Sequence, residues 1–428
     1  MKIKKLLFTT YLLFLVMDMV NAQDNANADV KPSGNFWGYV FGDYYYKTHS
    51  DSLGRAPVGS PYGVNSLNEK NQNLSYTNAF QIRRAYLGYD YKLDSTFSAQ
   101  AVLANEMDVD GNGYNTTYLK YAWVKWSHIF KGSNLMIGQM PTSSFATPFG
   151  TEPLWGYRSV EKTLIDLHST DPSTDMGVML IGNLWQQNNI AKLLPATIGY
   201  NFMVGNGTGA KPETNRGKKI RGNLYLNTFQ QKLTIGVYGD YNVIQPSLYT
   251  INNTTLKAYI DYKSDGFRIG AEVFEQINKN GDIYAVSYAK NAKVDTADGA
   301  QLGWSVFASA RIIKGKLNCF LRMDMYNPDT KFNSNNLYLS STVGGNMNST
   351  TFFNQTFYLV GLDYTPISRI HIMPNLWYTQ YTAMSGLTDA KGNAITGRAK
   401  SDYDIIPRVT FFFVFNSSKT MTNNGMDN

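Results

Sequence analysis

The sequence predicts an all-β fold, a sixteen-stranded antiparallel transmembrane β-barrel, and three observations carry that prediction. Short segments of period-two alternation recur from about residue 35 to Phe415. The links between them alternate between short and long. Beyond the leader, no apolar stretch approaches the roughly eighteen residues that a helical span requires. A strand with lipid on one side and water on the other must alternate apolar and polar residues. In the last segment Val409, Phe411, Phe413 and Phe415 share one face, while Arg408, Thr410 and Phe412 share the other.

The chain begins with a basic start (Lys2, Lys4, Lys5), an apolar run over Leu6–Val16 and a small-residue site at Val20-Asn21-Ala22. This reads as a signal peptide over 1–22. A membrane-anchoring helix is the alternative, but the run is too short to span and polar Asp24–Ala28 follows. Residues 23–34 are polar and expected to be disordered. Strands are expected near 35–46, 77–91, 95–105, 117–127, 134–140, 175–185, 196–206, 218–228, 232–242, 254–263, 266–277, 300–312, 316–326, 354–364, 368–380 and 403–415. Turn chemistry marks the short links, as in Leu93-Asp94-Ser95, Lys263-Ser264-Asp265-Gly266 and Ile313-Lys314-Gly315-Lys316. The long links are rich in Asn, Gly, Ser and Thr. The barrel spans 35–415, and 416–428 forms a polar C-terminal tail.

Face assignments follow from parity. Phe97, Ala99, Ala101 and Leu103 face lipid, as do Phe267, Ile269, Ala271 and Val273. Arg268, Glu272, Arg322 and Asp324 then line the lumen wall. Aromatic residues make up 14% of the chain, enough for the girdles of a barrel. The single cysteine, Cys319, has no partner for an internal disulfide and reads as a small hydrophobe. The formal charge is +7, and the leader carries three lysines and one aspartate, which leaves about +5. That excess suits anionic solutes or lipid head groups and forms no nucleic-acid patch. Sixteen strands leave an aqueous lumen, whereas about eight are filled by side chains.

The link Pro141–Thr174 differs from the others. It mixes apolar anchors (Phe145, Phe149, Leu154, Trp155, Tyr157, Leu164) with charges (Glu152, Arg158, Glu161, Lys162, Asp166). A solvated loop has no use for so many anchors. Folded back into the barrel, it would pack them on the inner wall and set the narrowest point with its charges.

Here a family resemblance becomes specific. Ile137-Gly138-Gln139-Met140-Pro141, Trp155-Gly156-Tyr157-Arg158-Ser159-Val160-Glu161-Lys162 and Asp175-Met176-Gly177-Val178 resemble the phosphate-selective porins of the O/P family. Phe80-Gln81-Ile82-Arg83-Arg84-Ala85-Tyr86-Leu87-Gly88-Tyr89 is similar to that family's second strand. The resemblance is best over about 36–205. It implies a homotrimeric outer-membrane porin with an inward third external loop, without cofactors. Only Arg158 and Lys162 in the matching loop motif and Arg83 and Arg84 in the matching strand carry over from the family; the expected pore constriction or anion-binding set is Arg158, Lys162, Arg84, Tyr157, Trp155 and Glu161. The family's lysine cluster has no counterpart in this loop.

Period-two geometry sends Arg83 and Arg84 to opposite faces. Ala85, Leu87 and Tyr89 put Arg83 on the lipid side, which leaves Arg84 for the pore. Lys211, Arg216, Lys218, Lys219 and Arg221 form a basic run. The first four are expected to line a vestibule that attracts anions or binds lipopolysaccharide. Asp108, Asp110 and Asn112 resemble the start of a calcium loop, but Leu119 stands where a bidentate glutamate belongs, so no metal site is assigned. His49, His128, His168 and His371 are scattered and expected at the surface or rim, without catalytic partners.

The leading function is a passive diffusion channel for small hydrophilic solutes, with mild anion preference. One rival is a solute-specific porin for an oligosaccharide or organic acid, favoured by aromatic residues along a lumenal track. Another is an outer-membrane adhesin or enzyme barrel, which would show a sealed lumen or a Ser/His or Asp/His pair at a rim.

Overall fold

The computed structural model describes residues 31–52, 75–107, 115–146, 151–168, 171–187, 196–246, 250–285, 293–333, 337–341, 345–346, 353–383 and 401–415. The signal peptide (1–22), the calcium-like residues Asp108, Asp110 and Asn112, and the tail 416–428 lie outside these.

One antiparallel sheet runs through the chain. Its first strands are β1 (Ser33–Tyr46), β2 (Asn78–Lys92), β3 (Phe97–Met107), β4 (Asn115–Phe130) and β5 (Ser133–Pro141). Two short helices follow, α1 (Thr151–Trp155) and α2 (Leu164–Leu167). Then come β6 (Thr174–Gln187), β7 (Ala196–Gly205), β8 (Lys219–Thr228), β9 (Leu233–Pro246), β10 (Thr250–Lys263), β11 (Phe267–Ala285), β12 (Val294–Ile313) and β13 (Leu317–Asn327). Two short strands, β14 (Leu337–Ser341) and β15 (Gly345–Asn346), precede β16 (Phe353–Ile367), β17 (Ile370–Ala383) and β18 (Asp402–Phe415).

β13 pairs directly with β16, so β14 and β15 stand outside the wall, with β14 on the end of β11. β1 pairs with β18, Gly38 opposite Phe415 and Tyr45 opposite Arg408, and this closes a sixteen-stranded antiparallel barrel. The expected disorder to residue 34 gives way at Ser33, where β1 begins and pairs with Lys92.

The alternation has its physical reason in the two faces. Leu103, Val124, Ile269, Val273, Val360 and Phe413 point outward and are exposed. Arg268, Glu272, Arg322, Asp324, Arg408 and Thr410 occupy the alternate positions and are buried. On the outward face at bilayer mid-depth, an arginine would cost about 2–4 kcal/mol. Inward rings need room from the neighbouring strand, and glycine supplies it. A Cβ at Gly88 would stand 2.3 Å from the Trp37 ring, so the indole lies flat over β2.

Two bulges break the alternation where it matters. Phe41 pairs with Arg84 and Gly42 with Ile82, which leaves Arg83 as an extra residue. Val102 pairs with Tyr121 and Leu103 with Leu119, which leaves Lys120 as another. A bulge lets two successive side chains point to one side. Arg83 and Arg84 are therefore both buried on the inner face, which corrects the lipid-side reading of Arg83. Lys120 and Tyr121 both point inward by the same device.

Candidate functional site

The link between β5 and β6 is held against the inner wall by side chains from many strands. Arg83 donates from Nη1 to the Val160 carbonyl at 2.9 Å and from Nη2 to the Ser159 carbonyl. Arg268 donates to the Leu154 carbonyl at 2.8 Å, and Arg322 to that of Lys162. Lys257 donates to Thr151 Oγ1 at 2.8 Å, and the Leu164 N–H donates to Glu272 at 3.2 Å. Nearer the ends of the link, Asn201 donates to the Ser143 carbonyl at 3.0 Å, while Asp171 accepts from Arg221 at 2.8 Å. The wall cations thus clamp backbone carbonyls that would otherwise be desolvated without partners. Arg268 and Arg322, expected on the lumen wall, point inward and hold the link through its carbonyls. Asp324 binds the Arg322 guanidinium through both oxygens, at 2.8 and 2.6 Å, and fixes its fork.

Leu154, Trp155, Tyr157 and Leu164, four of the link's apolar anchors, are buried against inward rings of the wall, and Phe149 lies outside the described residues. Trp155 meets Phe307 at 5.6 Å and Phe320 at 6.3 Å between ring centroids, and Tyr157 meets Phe320 at 4.3 Å. Arg322 lies over the Trp155 ring at 5.3 Å, and the indole N–H donates to the Glu161 carbonyl at 2.9 Å. α2 approaches closely because Gly303 has no side chain: a Cβ there would meet Leu164 Cδ2 at 2.7 Å. Trp155 and Tyr157 were expected both as wall anchors and in the constriction set, and Glu161 in that set. They are 2%, 0% and 3% exposed and serve as anchors, buried under the link. Burial raises the Glu161 carboxyl pKa against the pull of Arg83.

Four charged side chains of the link form a network, and Arg158 is its most exposed member. Arg158 binds Glu152 and, at 2.6 Å, Asp166. Lys162 approaches Asp166 at 3.7 Å. Across from them on the wall, Arg84 and Lys120 approach Glu106 at 3.8 and 3.5 Å, and Tyr86 donates to the same carboxylate. Burial opposes charge on Asp166, but Lys162 and Arg158 overcome it and hold the carboxyl below the ordinary range. Burial lowers the Lys162 pKa, and Asp166 offsets part of that. Arg158 keeps 21% of its side chain exposed, against 10% for Lys162, 9% for Glu152 and 7% for Asp166. Of the expected set, the structure places Arg158 and Lys162 on the link around Asp166, and Arg84 on the wall beside Glu106. Sequence reasoning missed Lys120 and Glu106, for which the bulge in β4 left no sequence signal.

The expected vestibule divides. Lys211, Arg216 and Lys218 are exposed, with Lys218 bound to Glu213 at 3.0 Å. Lys219 is 2% exposed and lies between Asp171 at 3.1 Å and Asp240 at 3.0 Å. It is a structural ion, not a rim charge. Two histidines also depart from the rim expectation. His168 stacks on Tyr326 with ring centroids 3.4 Å apart, and His371 bonds Asp363 at 2.8 Å, both in buried positions.

Accessibility is uneven around the lumen. On β8 to β13 and β16 to β18, most inward side chains at mid-height are buried against one another and against the link. On β1, β3 and β4, Tyr39, Gln100, Tyr118, Tyr121 and Trp123 point inward and are only half-buried. Among the described residues, this is where inward rings keep contact with solvent.

A family model described as phosphate-selective porin O and P matches residues 58–156. That match agrees with the resemblance read from the sequence and includes its second-strand motif. Among solved structures, the chain is similar to the outer membrane channel DcaP of Acinetobacter baumannii. The two are 12% identical, with a TM-score of 0.56 over 91% of this chain and 99% of that one. It is also similar to OmpF of Salmonella typhi in complex with daunomycin, at 11% identity and a TM-score of 0.50, over 89% and 97% of the two chains. These likenesses show the barrel fold. No curated protein matches the chain.

Proposed function

We propose that this chain is an outer-membrane porin, a passive channel for small hydrophilic solutes with a mild preference for anions. The family match and the apolar outer face support the setting. In this reading a cleavable leader directs export, outer-membrane lipid and lipopolysaccharide surround the barrel, and three copies assemble. The observation that carries anion preference is the exposure of Arg158 within the network that faces the open side of the lumen. That network holds four cations (Arg84, Lys120, Arg158, Lys162) against three carboxylates (Glu106, Glu152, Asp166). A fixed positive charge between low-dielectric walls lowers the barrier for anions.

Reversal potentials in planar bilayers under a salt gradient test this, with chloride expected to permeate more readily than potassium. A clear cation preference would overturn it. Phosphate is expected to compete weakly, because the basic side chains that reach the link are already engaged in holding it. Block of the chloride current by micromolar phosphate would contradict that.

A further inference from the structure

The half-buried rings of β1 and β4 stand on the wall that carries Arg84, Lys120 and Glu106. Tyr39 stands between Trp37 and Phe41, with 6.2 Å between successive centroids, and packs on Tyr86 at 4.7 Å. Tyr118 and Tyr121 come to the same face because the bulge at Lys120 turns both inward. Lys120 Nζ lies 5.6 Å from the Tyr118 ring and 3.1 Å from its hydroxyl. Arg84 donates to the Tyr86 hydroxyl at 3.3 Å, which ties the Tyr39–Tyr86 ring pair to the Arg84–Glu106–Lys120 group. Polar groups interleave with the rings: Trp123 donates to Gln100 at 3.2 Å, and Gln100 donates to Asp90 at 2.6 Å.

We propose that the lane between the β1–β4 wall and the Arg158 edge of the link is a binding track for acidic sugars, which rests on the porin reading above. A pyranose offers a flat C–H face to an aromatic ring and hydroxyls to the phenols and amides between the rings. Its carboxylate meets Arg158, the most exposed member of a network whose cations outnumber its carboxylates by one. An aromatic acid would use the rings but leave the interleaved polar groups to water. A small dicarboxylate would use only the charges.

The test is current block in planar bilayers, with the full mature protein and four probes: digalacturonate, neutral galactobiose, benzoate and succinate. Digalacturonate should half-block at a concentration about tenfold below that of each other probe. Tyr39→Ala and Tyr121→Ala should each remove most of that advantage, while Tyr121→Phe keeps it. Heat-modifiable gel migration reports whether each variant folds, and the four-probe comparison on the unaltered protein decides by itself if a variant does not. Equal block by galactobiose, benzoate or succinate would overturn the proposal, as would two folded alanine variants that leave the preference intact. Open pores without solute block would overturn the track alone. A folded barrel without conductance would overturn the porin reading with it.

Discussion

The two sides of the lumen use the same kinds of residue to opposite ends. From β11 to β18, inward rings such as Phe307, Phe320, Phe357 and Trp377 are buried, with Leu154, Trp155, Tyr157 and Val160 of the link packed among them. From β1 to β4, Tyr39, Tyr118, Tyr121 and Trp123 stand on the same kind of wall and stay half-buried. Arginines divide in the same way. Arg268 and Arg322 end on backbone carbonyls of the link, whereas Arg158 keeps part of its surface. What covers a residue, more than its type or its strand parity, separates a structural role from a solute-facing one. The boundary runs along β1, where Phe41 belongs to the packed cluster and Tyr39 lies against it.

The largest effect should come from breaking the packed side. Trp155 bridges Phe307, Phe320 and Arg322 and is 2% exposed. Trp155→Ala removes a buried indole, a change that costs about 3–5 kcal/mol in a packed core. The link should then leave the wall in part of the population, and unit conductance should rise and become noisy. A barrel that folds and conducts like the parent would show that the link does not narrow the lumen.

The next effect sharpens the contrast between buried and accessible charge. Arg158→Glu reverses a charge at the open lane, where an ion about 10 Å away in an effective dielectric near 20 feels roughly 1–2 kcal/mol. The chloride-to-potassium ratio should fall on the order of tenfold. Lys218, 47% exposed beside Glu213, is the fitting control. Salt screens it over about 8–10 Å, so Lys218→Glu should shift the ratio by less than about twofold. Lys219 cannot serve as that control. With Asp171 and Asp240 around it, Lys219→Glu would crowd three carboxylates and cost fold stability, on the order of 3–5 kcal/mol. Equal selectivity shifts for Arg158→Glu and Lys218→Glu would mean that the lane is not where ions pass.

Much of this was legible in the residues. Alternation fixed the strands and their faces, because lipid and water impose opposite demands on successive side chains. The excess of anchors in 141–174 marked the link that packs on the inner wall. Parity failed at Arg83, because a bulge is a property of two paired strands and one strand's sequence does not reveal it. Trp155 and Tyr157 stand among the expected anchors and also in the expected constriction set; the first placement is the one their burial against Phe307 and Phe320 matches. The pairing of Lys219 with Asp240 needed the register of β8 on β9, in which Arg221 stands opposite Asp240. The basic run by itself suggested only a solvated mouth.

The smallest effect should be a pH dependence confined to the packed side. His168 follows α2, donates its backbone N–H to the Leu164 carbonyl at 3.1 Å, and stacks on Tyr326. Burial, and then the nearby Arg322 charge, push its imidazole down from 6.5 to about 3. The packed link therefore holds His168 neutral, and the unpacked link binds a proton more readily. The stability this contributes is complete above pH 6.5 and is lost as pH falls from there toward 3. Asp166 has the same sign but acts lower, since its carboxyl is held below an ordinary value of 3.8. Glu161 acts in the opposite sense, because burial raises it above 4.5 and the packed state then takes up its proton more easily. Between pH 6.5 and about 5 the imidazole should dominate. Protease cleavage within the link, in detergent-held barrels, should rise modestly over that window. His168→Phe keeps a flat ring against Tyr326 and removes the titration, so its cleavage should stay level. The same rise in both proteins would assign the pH dependence to the carboxylates of the Arg158 network instead. The open lane should keep its solute preference unchanged between pH 6.5 and about 5.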